Sequence, residues 1–282
     1  MRCWARVIVL EERDRDDGGG PVTPEAAARD LDAYVLHPPS VDREEWPDVV
    51  LVDTGSPSPL GRFAARVRFA GDVETRVKEV RRWFGERGRD AFTWKLGDDT
   101  TPPDLEVMLR AHGAHEDEAE PEHTAMVLDR EPLDGAGLVV RVVESYEEYV
   151  ASAEIVAVGF GGSFTDEERA AMREQLPARY AAYRDYPVAR RYLAFLDKKP
   201  VAAGSAAQTS VGVVALTGGA TLPGARGRGA YTALVRARWD AAVAAQTPAL
   251  VTQASGMSRP ILARLGFRAV GPVIELIDAA TS

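Results

Sequence analysis

Apolar and polar positions in the second half of the chain follow two clear periods. Residues 138–143 (LVVRVV) are short and β-branched, which predicts a strand. Residues 145–160 place Tyr146, Tyr149, Val150, Ala153, Val156, Ala157 and Phe160 three or four apart, the stripe of an amphipathic helix. Thr165 followed by Glu168 has the capping-box spacing and opens a second helix, running to about Tyr183. RYLAFLD and VAAGSAAQT flank Lys198, Lys199 and Pro200 and predict a β-hairpin. VGVVALTGGATL is a third strand, interrupted at Gly218 and Gly219, where a bulge or splay is expected. A Gly/Arg loop follows, then a helix from about Ala230 to Ala245, the strand ALVTQAS, a short helix SRPILARL, and two final strands around FRAVG and VIELID. The order β-α-α-β-β-β-α-β-α-β-β, with a hairpin at its centre, predicts an α+β fold. Its sheet should be mixed, mostly antiparallel and flanked by helices, and not doubly wound.

The first half echoes part of this order. A helix ending in Arg82-Trp83 precedes the strand AFTWKLG and the helix PPDLEVMLRAHGA, much as a helix with Arg238-Trp239 precedes ALVTQAS and RPILARLGF. Both tryptophans sit on amphipathic helices and read as core. The expectation is two copies of one fold, each with its own sheet. Between them, Glu116, Asp117, Glu118, Glu120 and Glu122 crowd together without Lys or Arg, and EPLDGAG follows. Such a block repels itself and reads as a solvated linker. The predicted division is therefore a flexible segment 1–21, a first domain 22–125 and a second domain 126–282.

Composition narrows the class. The 282 residues are 45% hydrophobic and 27% charged, neither disordered nor membrane-embedded. Lys and Arg number 34 against 43 Asp and Glu, a net charge of −9 that argues against nucleic acid or an anionic membrane as partner. Cys3 is the only cysteine, so neither an intrachain disulfide nor a thiolate zinc site is expected. The apolar run near the start is too short for a signal peptide or a membrane span, so a cytoplasmic protein is expected. The four histidines show no metal spacing, and no metal is expected. His115 and His123 lie in sequence among acids that would raise their pKa.

GGATLPGARGRGAYTALVRARWD carries the chemistry. Glycines at 227 and 229 let backbone N–H groups converge, and the helix that follows adds its own free N–H groups and the positive end of its dipole. Arg226 and Arg228 add charge, making a cradle suited to a pyrophosphate. A dinucleotide fold would need a third glycine and an acid ending the next strand, whereas Asp240 falls inside the helix. A P-loop would need Gly-Lys followed by Ser or Thr, which does not occur. Two other readings weigh less: a tight surface turn, and an RG-rich nucleic-acid tail, which would be disordered and basic.

The stretch resembles the acyl-CoA loop of the GNAT superfamily of N-acetyltransferases, Arg/Gln-x-x-Gly-x-Gly/Ala. Arg226 and Gly229 match it, and Tyr231 replaces the last small residue. The strand, helix and Gly-Phe ending of ALVTQASGMSRPILARLGF resemble the family as well, over roughly residues 138–278. The first half looks like a degenerate copy without the loop, as in tandem members that bind cofactor only in the second domain. The resemblance implies that Gly219, Ala220 and Thr221 pair with pantetheine amides. It implies that Arg226, Gly227, Arg228, Gly229, Ala230 and Tyr231 offer N–H groups to the pyrophosphate of acetyl-CoA, with Thr232 adding its hydroxyl.

Two departures bear on catalysis. The family's helix after this strand begins with Asn and carries Tyr seven residues on; here Ser255 and Leu262 hold those positions. The strand VGVVALTGGAT also lacks the carboxylate that some members use. An amine with a pKa near 10 must lose a proton before attack, whereas a thiolate with a pKa of about 8.5 leaves with little help. Ser255 and Ser258 are the candidate proton donors, with helix capping as their structural role. Glu154 and Glu275 could reach the acceptor side but read as solvated. The function implied is acetyl transfer from acetyl-CoA to a primary amine by direct attack. The alternative is a non-catalytic acyl-CoA-binding or regulatory protein. The partners implied are a small-molecule or peptide amine acceptor and, as a further option, a second copy in a homodimer, with no nucleic acid and no membrane.

Overall fold

The computed structural model describes residues 22–32, 41–56, 58–118, 122–133, 137–159, 165–209 and 211–281, without the Glu168 side chain. The predicted flexible segment 1–21 and Cys3 lie outside these residues. In the second half the predicted order is present. β6 (Val139–Val142) leads to helices α4 (Tyr146–Gly159) and α5 (Asp166–Asp185). The hairpin β7 (Ala189–Leu196) and β8 (Lys199–Gln208) comes next, then β9 (Val214–Thr221). Helix α6 (Ala230–Ala244), β10 (Leu250–Ser255), α7 (Arg259–Arg264) and β11 (Arg268–Ala279) complete it. The two final strands expected here are one, with an irregularity between Ala269 and Gly271.

The first half holds more than its pattern suggests. It has helix α1 (Pro24–Arg29), the hairpin β1 (Asp42–Trp46) and β2 (Val49–Asp53), and β3 (Arg62–Ala65). Helix α2 (Val73–Gly85), β4 (Ala91–Leu96), α3 (Leu105–Ala111) and β5 (His123–Leu128) follow. The last of these lies in the stretch read as a linker. Its acidic neighbours mask the strand, but Ala125, Met126, Val127 and Leu128 are buried.

The expectation of two separate sheets does not hold. Among the described residues, the eleven strands join in one sheet, ordered β1-β2-β3-β4-β11-β5-β10-β9-β8-β7-β6. Each half contains one short parallel pair at corresponding places, β3 with β4 and β9 with β10. The strand that ends each half is then lent to the other. β5 lies antiparallel between β10 and the first part of β11, and the second part of β11 pairs with β4. The predicted boundary after residue 125 therefore cuts through a strand, β5, whose two neighbours both belong to the second half.

Cross-strand partners share a face, so the clusters sort into two layers. On one face α2 and α3 cover Trp94 and Leu276, while α6 and α7 cover Leu216, Leu250 and Met126. Trp83 and Trp239 are both core residues there, as expected. On the other face α1 packs on Val127 and Val251, and α4 on Leu193 and Ala203, with α5 against α4. Among the described residues, no helix is long and apolar enough to cross a membrane.

Candidate functional site

The site begins where β9 and β10 part. They pair only at Leu250–Val214 and Val251–Ala215. A last tie follows, in which Thr252 Oγ1 donates to the Leu216 carbonyl at 3.1 Å. Beyond it the strands diverge around a cleft of about 920 Å³. The divergence has a local cause. The register of β9 against β8 slips between Ala203 and Ser205, opposite a Gly218 held at φ +59°. A Cβ on Gly219 would stand 2.8 Å from Tyr231 Cε2, so the tyrosine ring lies directly on bare backbone. Burial pushes the Tyr231 phenol above its ordinary pKa, against the pull of Arg238.

The loop after β9 ends in Gly229, at φ +79°, which occupies the N-cap of α6 without a side-chain cap. Ala233 is the first residue whose N–H closes onto the helix, donating to the Gly229 carbonyl at 2.9 Å. The N–H groups of Ala230, Tyr231 and Thr232 precede that bond, and all three residues line the cleft. No acid occurs between Thr217 and Thr232, and the helix dipole places its positive end here. Free donors, a bare left-handed glycine and an acid-free loop fit a diphosphate. Arg226 also lines the cleft and turns its Nε toward the Thr221 carbonyl at 3.5 Å. Of the predicted contacts, Gly219, Ala220, Thr221, Arg226, Gly227, Gly229, Ala230, Tyr231 and Thr232 come together along this cleft. Arg228 is exposed and outside its lining.

Ser255 and Ser258 both reach the cleft. Ser258 stands at the N-cap of α7 but makes no capping bond; its hydroxyl donates to the Ser255 carbonyl at 3.4 Å. Counting seven residues on from Ser255 assumes a helix from that point, yet β10 runs to Ser255 and α7 starts only at Arg259. Leu262 consequently turns into the core, 1% exposed, and Ile261 and Leu265 form the cleft wall. Leu262→Tyr is therefore expected to overpack the core, costing about 1–3 kcal/mol, rather than to supply an acid. Thermal unfolding measures this, and an unchanged midpoint with a faster reaction would reverse the conclusion.

On the face opposite α6, the sequence reading missed a polar row. His123 on β5 pairs across to Ser255 and to Val273, and both His123 and Gln253 line the cleft. Glu275 and Lys95 are cross-strand partners on that face, with Nζ 2.7 Å from Oε1. Lys95 also donates to Gln253 Oε1 at 3.2 Å, and His123 Nδ1 lies 3.9 Å from Glu275 Oε2. Glu275 is thus a half-buried ion-pair partner and not a solvated residue. Burial works to raise its pKa, but the charges of Lys95 and His123 prevail and hold the carboxyl below the usual range. Glu154 is exposed and does not line the cleft.

The corresponding place in the first half is closed. The N-terminus of α2 is capped by Asp72, whose carboxylate accepts from the Thr75 N–H at 3.1 Å and the Thr75 hydroxyl at 2.8 Å. An anion there would meet a carboxylate already seated. After β3 and β4 part, backbone bonds from Phe69 and Thr101 rejoin the two segments, and Phe69, Trp94 and Leu105 fill the gap.

No family model matches this sequence, and no curated protein matches it at a significant level. Solved structures do match its fold. A GCN5-related N-acetyltransferase from Kribbella flavida is 18% identical, over 92% of this chain and 96% of that one, with a TM-score of 0.64. A tandem GNAT protein from the clavulanic acid biosynthesis pathway is 14% identical, over 88% of this chain and 86% of its own, at 0.58. A GCN5-related N-acetyltransferase from Sphaerobacter thermophilus is 15% identical, over 83% and 81%, at 0.54. At these identities the likeness is one of fold.

Proposed function

Given a chain with the tandem GNAT fold, we propose that it transfers an acetyl group from acetyl-CoA to a primary amine by direct attack, holding the cofactor only at the loop of the second half. The observation that carries this reading is the uncapped N-terminus of α6 at the mouth of the parted strands β9 and β10. The N–H groups of Ala230, Tyr231 and Thr232 would hold the diphosphate, and the backbone of Gly219, Ala220 and Thr221 would hold the pantetheine amides. When bound, the thioester supplies a carbonyl activated for attack by nitrogen.

The remaining work falls to the face opposite α6. His123 lines the cleft with Nδ1 3.9 Å from Glu275 Oε2, and its imidazole is the base assigned to the proton that the amine must lose. Glu275, held ionised chiefly by Lys95, places a carboxylate beside the imidazole. The buried Nε2 of Gln253 has no hydrogen-bond partner, and it is a donor suited to an acceptor's carbonyl or hydroxyl. The net charge of −9 favours a cationic small molecule or peptide amine as acceptor.

Release of free thiol from acetyl-CoA, measured against a panel of amines, peptides and aminoglycosides, tests the proposal. Turnover with at least one amine is the expected result. Tight CoA binding without turnover on any of them would favour a non-catalytic acyl-CoA-binding protein instead.

A further inference from the structure

Arg238 lies two turns into α6 and is 1% exposed. Its Nε donates to the Leu234 carbonyl at 2.9 Å and its Nη1 to the Ser205 carbonyl at 3.1 Å, while Nη2 has no hydrogen-bond partner. Among the described residues, no carboxylate pairs with it. Burial weakens its hold on its proton, and the phenols of Tyr231 and Tyr192 only partly offset that. A guanidinium nevertheless stays protonated inside a protein, so a buried cation stands between α6 and β8, beside the Leu234 and Ser205 carbonyls and Gly204. Such a charge is costly unless something of opposite sign answers it. Space has been left for it: a Cβ on Gly204 would stand 2.9 Å from Nη1.

Position indicates what the answering group is. Arg238 lines the cleft from the α6 face, the side of the sheet that carries the uncapped loop, whereas His123 and Gln253 line it from the other. Ser205, which Arg238 holds, pairs with Thr217 on β9. The guanidinium therefore stands one strand, about 4.8 Å, beyond the point where the cleft opens. That is within reach of a short chain extending from a thioester bound along β9, and it lies on the wrong face for the acceptor.

We propose that Arg238 is an acyl-chain subsite, and that the cleft takes thioesters whose acyl chain ends in a carboxylate. This rests on the acyl-transfer reading above and widens its donor class from acetyl to short dicarboxylic monothioesters. The terminal carboxylate forms and breaks no bond; it accepts from Nη2 and fixes the chain. Charge-assisted bonds of this kind are among the strong ones, and a planar fork suits a carboxylate.

Calorimetry with CoA, butyryl-CoA and succinyl-CoA tests it without any acceptor. Succinyl-CoA should bind about tenfold to a hundredfold more tightly than butyryl-CoA. Arg238→Met should erase that difference, leave the affinity for CoA unchanged and raise or maintain the melting temperature, because it removes an unanswered buried charge. Gly204→Ala, which pushes the guanidinium aside while keeping it, should erase the difference as well and guards against a misfolded methionine variant. Equal affinities for the two thioesters in the native protein would overturn the subsite and leave acyl transfer standing. Discrimination that survives in both variants would overturn it too. Failure of CoA itself to bind would remove the acyl-transfer reading and the subsite together.

Discussion

Gly229→Val should lower the affinity for CoA by at least about a hundredfold. Gly229 holds φ at +79°, and a β-branched residue in the left-handed region is disfavoured by roughly 1–2 kcal/mol. The strained loop relieves itself by rotating the peptide that aims the first N–H groups of α6 into the cleft. Each hydrogen bond to a charged group contributes about 1.5–3 kcal/mol, so misaiming two of them accounts for the loss. Because the loop lies at the surface end of the helix, the melting temperature should fall by only a few degrees. Titration calorimetry on native and variant protein decides the matter. An unchanged dissociation constant would mean that the diphosphate, if it binds at all, binds elsewhere.

His123→Gln should slow amine acylation by about 10²–10⁴, the usual contribution of a general base, and leave CoA affinity intact. Ser255→Ala and Ser258→Ala should each stay within about tenfold of the native rate, since a serine hydroxyl is a poor acid. Glu275→Gln should act on both rate and stability, because it leaves Lys95 half-buried without its partner, at a cost of about 3 kcal/mol. Its pH dependence has a definite sign. A carboxyl whose folded pKa is depressed contributes fully above its ordinary value of about 4.3 and loses that contribution as pH falls through the folded value. The stability gap between native protein and Glu275→Gln should therefore be level above about pH 5 and narrow below pH 4. Native rates in His123→Gln would remove this histidine from the chemistry.

What could be read from the residues alone was whatever is decided locally. The strand with paired glycines, the Arg-Gly-x-Gly loop and the helix behind it are contiguous, so their pattern and their geometry coincide. The acids next to His123 in sequence say nothing of its partner across the sheet; pairing of β5 with β11 brings it to Glu275. Arg238 looked like half of an Arg-Trp echo between the two copies, and only the packing of α6 on β8 reveals a cation with a vacant donor. Leu262 was placed by counting along a helix that begins later than assumed. The single sheet could not be inferred either, because strand exchange is a choice of partner over long range, and hydrophobic alternation in β11 is the same whichever neighbours it takes.

The reciprocal loan of β5 and β11 has a bearing on how the chain is born. On the ribosome, residues up to Leu128 emerge with β4 lacking the neighbour it will finally have, since that neighbour is the stretch Ile274–Ala279. The edge of β4 must wait while the whole second half is synthesised, and β5 must wait for β10 before it has either of its partners. Completion of one half is thus postponed to the arrival of the other's last strand, and the two copies, though each repeats the same motif, mature as one body.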